Sequence, residues 1–424
     1  MLPMTESRLT DARWLALLCL SRMSFSLIFT VYSGILPLVR EAWGMSSTQA
    51  GLIQSAWHLG FLVSLFAAGM ISDRKGARWT FLHMSYGAVA SAALFALLAD
   101  GFLSALILYG LAGLCSGGSY TPGLTLISER FEPHRRGRAM GFYLAAASLG
   151  YALSLFLGSF IAPTAGWRAA LAASAAGTLL GLTLGAWVLR DTPNRVSRHD
   201  RAPAQSNALL EVWRNRPARL IILAYSFHAW ELLGLWAWLP TFLVSAMAVD
   251  GSVRPGNVGV GVLIAGLCHL LSVAGSVFGG TLSDRYGRTA VILLFAGMSA
   301  ACSLIYGWLI TAPLWLLTAV AIVYNLAAIA DSSVFSTGLT ELVPHRYIGA
   351  AYSLRSVIGF GMGAASPWVF GLTLDLAGEQ PGEPRVLAWG LAFSTLGVAG
   401  LAATYFTWRL RCAVESQPLA GGLR

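Results

Sequence analysis

The chain has 424 residues, 56% hydrophobic and only 11% charged, with a mean hydropathy of +0.66; water-soluble domains carry about 25% charge, so most of this polypeptide is expected to lie in lipid. Its net charge of +9 would suggest a polyanion partner in a soluble protein, but the basic residues fall in short stretches between apolar runs, which makes them markers of orientation and excludes a nucleic-acid partner. Four cysteines, Cys19, Cys115, Cys268 and Cys302, lie inside apolar runs and Cys412 follows the last one, so no disulfide framework is expected.

A membrane helix needs about 20 apolar residues to cross roughly 30 Å of hydrocarbon at about 1.5 Å per residue. Twelve segments meet that test, over residues 14–38, 48–71, 79–99, 102–127, 138–162, 168–190, 218–246, 258–283, 290–311, 313–341, 349–374 and 386–409. The stretch before segment 1 holds two arginines, and the apolar run after it is too long for a signal-peptide core, so segment 1 is expected to be retained. Six segments fall on each side of one polar stretch, 191–217, rich in Arg, Pro, Asn and Ser. The predicted organisation is therefore a bundle over 1–190, a linker over 191–217 and a second bundle over 218–424. Asn207 to Trp213 inside the linker has the pattern of a short interfacial helix. With an even number of spans, one side carries 22 of the 28 basic residues and the other four. The positive-inside rule then puts both termini and the linker in the cytoplasm. The remaining two, Arg22 and Arg355, fall inside predicted segments.

Segment 2 ends in GMISDRKGAR, Gly69 to Arg78, and segment 8 in GTLSDRYGRT, Gly280 to Thr289, at a spacing of 211 residues. The same spacing joins PHR at Pro133–Arg135 to PHR at Pro344–Arg346, and His58 to His269. A Ser-Asp-Arg run followed by Gly gives a tight turn tolerant of positive φ, with an Asp able to pair with an Arg or with the positive end of a helix. Such a turn can serve as a charge latch, or as a polar turn whose arginines hold orientation. Its recurrence at a matched spacing favours the latch.

At these residues the chain resembles the major facilitator superfamily, whose loop G-x-x-x-D-R-x-G-R-R between helices 2 and 3 returns in weaker form between helices 8 and 9. The six-plus-six pattern, the linker and the turns PHRRGRAMG and PHRYIGAAY extend the resemblance over the whole chain. One departure stands out: Ala77 occupies a position where Arg is usual, kept in the second copy as Arg288. The resemblance implies an all-α membrane protein of twelve transmembrane helices in two pseudo-symmetric six-helix bundles, working as a secondary transporter by alternating access. It also implies gating roles for Gly69, Asp73, Arg74, Gly76 and Arg78, and for Gly280, Asp284, Arg285, Gly287 and Arg288, with segments 1, 4, 7 and 10 lining a central cavity. Segment 5 lacks the Gly-Pro signature of the family's drug antiporters, and segment 4 has Tyr109 where many proton-coupled members carry Arg; both departures weigh against drug efflux.

Ionisable groups at membrane depth are costly and so are candidates for function. Arg22 lies about 12 Å into segment 1, placed to hold an anionic substrate or to pair structurally with an acid. His228 and Glu231 stand one turn apart on segment 7, with Glu231 about 16 Å from the inner end; together they suit proton coupling, or a packing hydrogen bond in a Trp-rich stretch. Asp331 is a counter-charge for Arg22 or Arg355, or a proton carrier. His58 and His269 are expected at equivalent depth in the two halves, where nitrate porters of the superfamily place a matched pair of arginines; they would bind an anion, titrate, or bond within their own halves. Arg355, near the inner end of segment 11, is expected to snorkel or to latch onto Asp73. Tyr32, Tyr120 and Tyr324 are candidate cavity residues, and the glycines of GLAGLCSGGSYTPG in segment 4 serve close packing or a helix broken at Pro122.

His58, His228, Glu231, His269 and Cys268 are metal-ligand types, but no HxxxM or CxxC spacing joins them, so no metal is expected. A phosphate-cradling Gly-Lys loop and a nucleophile paired with a base are both missing from the sequence, so no cofactor and no enzymatic activity are expected. The resulting expectation is a monomeric, proton-coupled importer of a small anionic organic solute in the inner membrane of a bacterium. Its alternative is a proton-driven exporter of drugs or metabolites, relying on Glu231 and Asp331.

Overall fold

A computed structural model describes residues 9–196, 207–248, 255–379, 385–417 and 419–423. Among them sixteen α-helices and no strand are found, and twelve spans are long and apolar enough to cross a membrane. Nine of these are single helices: α3 (Ser47–Lys75), α4 (Ala77–Leu98), α7 (Pro133–Ala165), α8 (Trp167–Leu189), α10 (Arg216–Ala246), α11 (Pro255–Tyr286), α12 (Arg288–Tyr306), α15 (Ile348–Leu376) and α16 (Val386–Cys412). Three are interrupted. The first span is α1 (Asp11–Phe25) and α2 (Leu27–Ala42) with Ser26 between; the fourth is α5 (Phe102–Ser116), a 3-10 turn and α6 (Thr121–Arg130); the tenth is α13 (Leu314–Ala330) and α14 (Ser332–Leu342) with Asp331 between. The linker's expected short helix is α9 (Ala208–Arg214).

Local chemistry accounts for the breaks. Ser26 turns its hydroxyl back onto the Arg22 carbonyl at 2.9 Å, where its own N–H also points at 3.1 Å, a competition that bends serine-bearing membrane helices. In the fourth span Gly117 and Gly118 loosen the helix, and Pro122 supplies no N–H to carry the ladder through. Tyr120 and Asp331, the turning residues of the fourth and tenth spans, are themselves partners at the 211-residue spacing. Both copies of the repeated turn share a backbone form: Gly76 has φ +90° and Gly287 φ +94°, a region open to glycine but strained for other residues, and each opens the next helix.

The described helices gather into two compact units, one within Met1–Ile35 and Ala56–Asp200, the other within Leu36–Ser55 and Arg201–Arg424. The first packs Trp14, Leu18, Phe25, Phe81, Phe131 and Tyr143 into a core. It also brings α5 so close to α3 that a side chain at Gly113 would strike the Trp57 backbone. In the second, Ile221, Ile222, Phe295, Phe335 and Leu419 form one core, and Trp238, Phe242, Phe370, Trp389 and Phe393 an aromatic one. Large apolar side chains such as Leu97, Phe160, Trp315 and Leu376 are left exposed, a surface suited to lipid rather than water.

Candidate functional site

In the first unit the interruption between α5 and α6 presents Ser119 and Tyr120 to Arg22 of α1. Arg22 is 5% exposed and donates from Nη1 to Ser119 Oγ at 2.6 Å. Its guanidinium carbon lies 5.3 Å from the Tyr120 ring centroid and 6.0 Å from that of Tyr143, within the range of cation–π attraction. Tyr143 in turn donates its hydroxyl to the Ser119 carbonyl. Arg22 Nε has no acceptor, and among the described residues no carboxylate pairs with this guanidinium. The site is a charged fork held by neutral groups alone.

The second unit gathers acids instead. Glu231, 2% exposed, accepts at Oε1 from the hydroxyls of Ser299 and Ser303, both at 2.6 Å, from α12. Since the Ser303 proton is directed at Glu231, the Tyr324 hydroxyl donates to Ser303. His228, one turn earlier on α10, reaches a different pair of groups: Nε2 is 2.8 Å from Ser332 Oγ and Nδ1 is 3.1 Å from Asp331 Oδ1. Glu231 was the expected acid for this imidazole, but Asp331, between α13 and α14, is the carboxylate within ion-pair distance of it. Asp331 is thus paired with His228 rather than with Arg355.

Arg355 does not run out along α15. It donates from Nη1 to Ser336 Oγ at 2.6 Å and lies 4.5 Å from the Tyr225 ring centroid and 4.7 Å from that of Tyr352. His58 and His269 stand equally far from the C-terminal ends of α3 and α11, as their spacing requires. Both are buried among aromatic rings: His58 is 5.3 Å from Trp57 and 5.6 Å from Phe29, and His269 is 4.8 Å from Trp236. Tyr32 is fully buried against Tyr109 at 5.2 Å, and Tyr324 lies within the Glu231 cluster.

The two motif turns differ in their charges. Arg288 binds Asp284, Ser283 Oγ at 2.8 Å and Glu341 at 2.9 Å, and Glu341 also accepts the Ala420 N–H at 2.9 Å. With Ala77 at the matching place, the first copy has no such hub. There Arg78 donates to the Arg190 carbonyl at 2.9 Å, while Asn194 of the linker region joins Lys75 O to Trp79 N; Asp73 and Arg74 are exposed. Arg130, which matches Glu341 at the 211 spacing, pairs with Asp11 at 2.9 Å. Glu341 was legible as an acid three residues before the second PHR turn. Ser119, Tyr143, Ser299, Ser303, Ser332 and Asn194 gave no signal, because a lone hydroxyl or amide in such a sequence has no diagnostic spacing.

Residues 18–367 match the family model described as Major Facilitator Superfamily. The chain is similar to the probable sulfoacetate transporter SauU of Cupriavidus necator, 26% identical over 399 residues covering 87% of each chain. It is similar as well to a probable 4-methylmuconolactone transporter of Cupriavidus pinatubonensis, 27% identical over 78% of this chain and 77% of that one. Among solved structures the nucleoside transporter NupG superposes with a TM-score of 0.75 over 94% of this chain and 99% of its own, at 12% identity, a likeness of fold.

Proposed function

The chain belongs to the major facilitator superfamily, a membrane transporter of small organic solutes and not an enzyme, and from that premise we propose that it imports a small organic anion together with protons. Arg22 carries the reading. A guanidinium keeps its charge at any physiological pH, and a buried charge without a counter-ion costs several kcal/mol. The cost is offset when a carboxylate or sulfonate docks on the fork, which offers bidentate geometry to either group. The names of the two relatives fit, since sulfoacetate and 4-methylmuconolactone are both organic acids. On this reading His228 with Asp331, and Glu231 with its serines, take up and release the coupled protons during alternating access. His58, His269 and Tyr120 lie close to the solute's path, and the repeated turns act as gates. The protein would work as a monomer in a bacterial inner membrane, with both termini and the linker in the cytoplasm.

Sulfoacetate and succinate uptake into proteoliposomes tests this. Uptake should rise under an inside-alkaline pH gradient, and Arg22→Gln should lower it about tenfold or more, the size of one lost charge-assisted contact. Uptake of both acids at the wild-type rate in Arg22→Gln would sink the anion reading. Indifference to the gradient would remove proton coupling.

A further inference from the structure

The second unit repeats the plan of the Arg22 site without repeating its sequence. Arg355 and Arg22 each donate from Nη1 to one serine hydroxyl at 2.6 Å, each lie near two tyrosine rings, and each leave Nε buried without an acceptor. For neither does a carboxylate come within ion-pair distance among the described residues. The 211-residue spacing does not relate them, since it carries Arg355 to Leu144.

A structural clasp would look different. Arg288 shows what one is in this protein: two carboxylates and a serine close around the guanidinium. Arg355 instead leans on groups that attract a cation without neutralising it. Tyr352 also donates its hydroxyl to the Ser336 carbonyl at 3.2 Å, so the serine that receives the arginine is itself held in place, as Ser119 is by Tyr143. An arginine so placed cannot discharge itself by losing a proton, and its free N–H edge suits a planar or tetrahedral oxyanion.

We propose that Arg355, with Ser336, Tyr225 and Tyr352, forms an anion-recognition site in the second unit, taking a carboxylate or sulfonate group. It stands apart from the role given to Arg22.

Calorimetric titration of sulfoacetate and of succinate into the purified full-length protein tests it. Arg355→Gln is expected to weaken binding about tenfold, the worth of one hydrogen bond to a charged group, with Arg355→Lys recovering part of the loss because the charge remains. A merely structural arginine would give the reverse pattern: both variants would melt earlier while binding each acid with wild-type affinity, and that result overturns the proposal. If Arg22→Gln abolishes binding and Arg355→Gln leaves it intact, the reading of Arg22 stands and this one falls. Failure of the wild-type protein to bind either acid overturns both.

Discussion

A charged group inside a membrane protein can be met by an opposite charge, by neutral dipoles or by a proton. Arg288 takes the first course, Arg22 and Arg355 the second, and on the proposed reading the His228–Asp331 pair takes the third. Asp331→Asn keeps the shape of the pair and removes its carboxylate; on the proposed reading gradient-driven sulfoacetate uptake should fall to the level seen without a gradient, while exchange of internal for external sulfoacetate persists. Loss of exchange in parallel with driven uptake would show that Asp331 serves the fold or the solute rather than the proton. Outside the spans, Glu379 gives a pH effect of determined sign. Burial pushes its carboxyl above the ordinary value of 4.5, against the Arg385 N–H and Trp389 Nε1–H bonds and the charges of Arg40 and Arg385, which pull it down. The folded chain therefore binds this proton more tightly than the unfolded chain does. Its contribution to stability is full below 4.5 and is lost as pH climbs through the raised value. Melting temperatures across that window should show this decline in the wild-type protein and lack it in Glu379→Gln; equal slopes would mean that Glu379 is not perturbed. Depth along an apolar run made Arg22, Glu231 and Asp331 legible in the sequence. Which acid meets which base was not, because that depends on how α10 packs against α13 and α14.

Helix extents follow from apolar runs, and the observed elements lie within a few residues of the predicted ones. Interruptions are harder to read. Glycines and Pro122 marked the fourth span as a place for packing or for a break, and it serves both, but Ser26 and Asp331 carry no comparable signal: one serine or one aspartate is tolerated in many unbroken helices. Two substitutions test elements rather than residues. Gly113→Leu would drive a branched side chain into the Trp57 backbone, and overpacking of this kind costs about 1–3 kcal/mol; the melting temperature of the purified protein should drop, and Gly113→Ala should fall between. Arg288→Ala would leave Glu341 half-buried without its cation while freeing the Ala420 contact to rearrange. Stranding a charge and its hydrogen bonds costs about 1–3 kcal/mol, and Asp284, 69% exposed, adds little since water screens it. A melting temperature unchanged in Arg288→Ala would reduce this hub to surface decoration.

At the scale of the molecule the doubled turn sets the plan, and the departures from doubling show where the halves have diverged. Gly76 and Gly287 share one backbone form, yet the charges around them are rebuilt: a cation hub in the second copy, and in the first Ala77, a linker asparagine and an Arg130–Asp11 pair. Orientation is the remaining whole-molecule property, and it rests on the 22-to-4 division of basic residues. Each Lys or Arg biases insertion toward keeping its loop in the cytoplasm, so the count predicts cytoplasmic termini. Cys412, exposed at the end of α16 and beside Arg409 and Arg411, reports the result directly, because the other four cysteines are buried or half-buried. A membrane-impermeant maleimide applied to intact cells should leave Cys412 unlabelled and should label it after lysis, with Cys412→Ser removing the signal. Labelling in intact cells would invert the topology, placing both termini and the basic loops outside, where the charge bias acts against them.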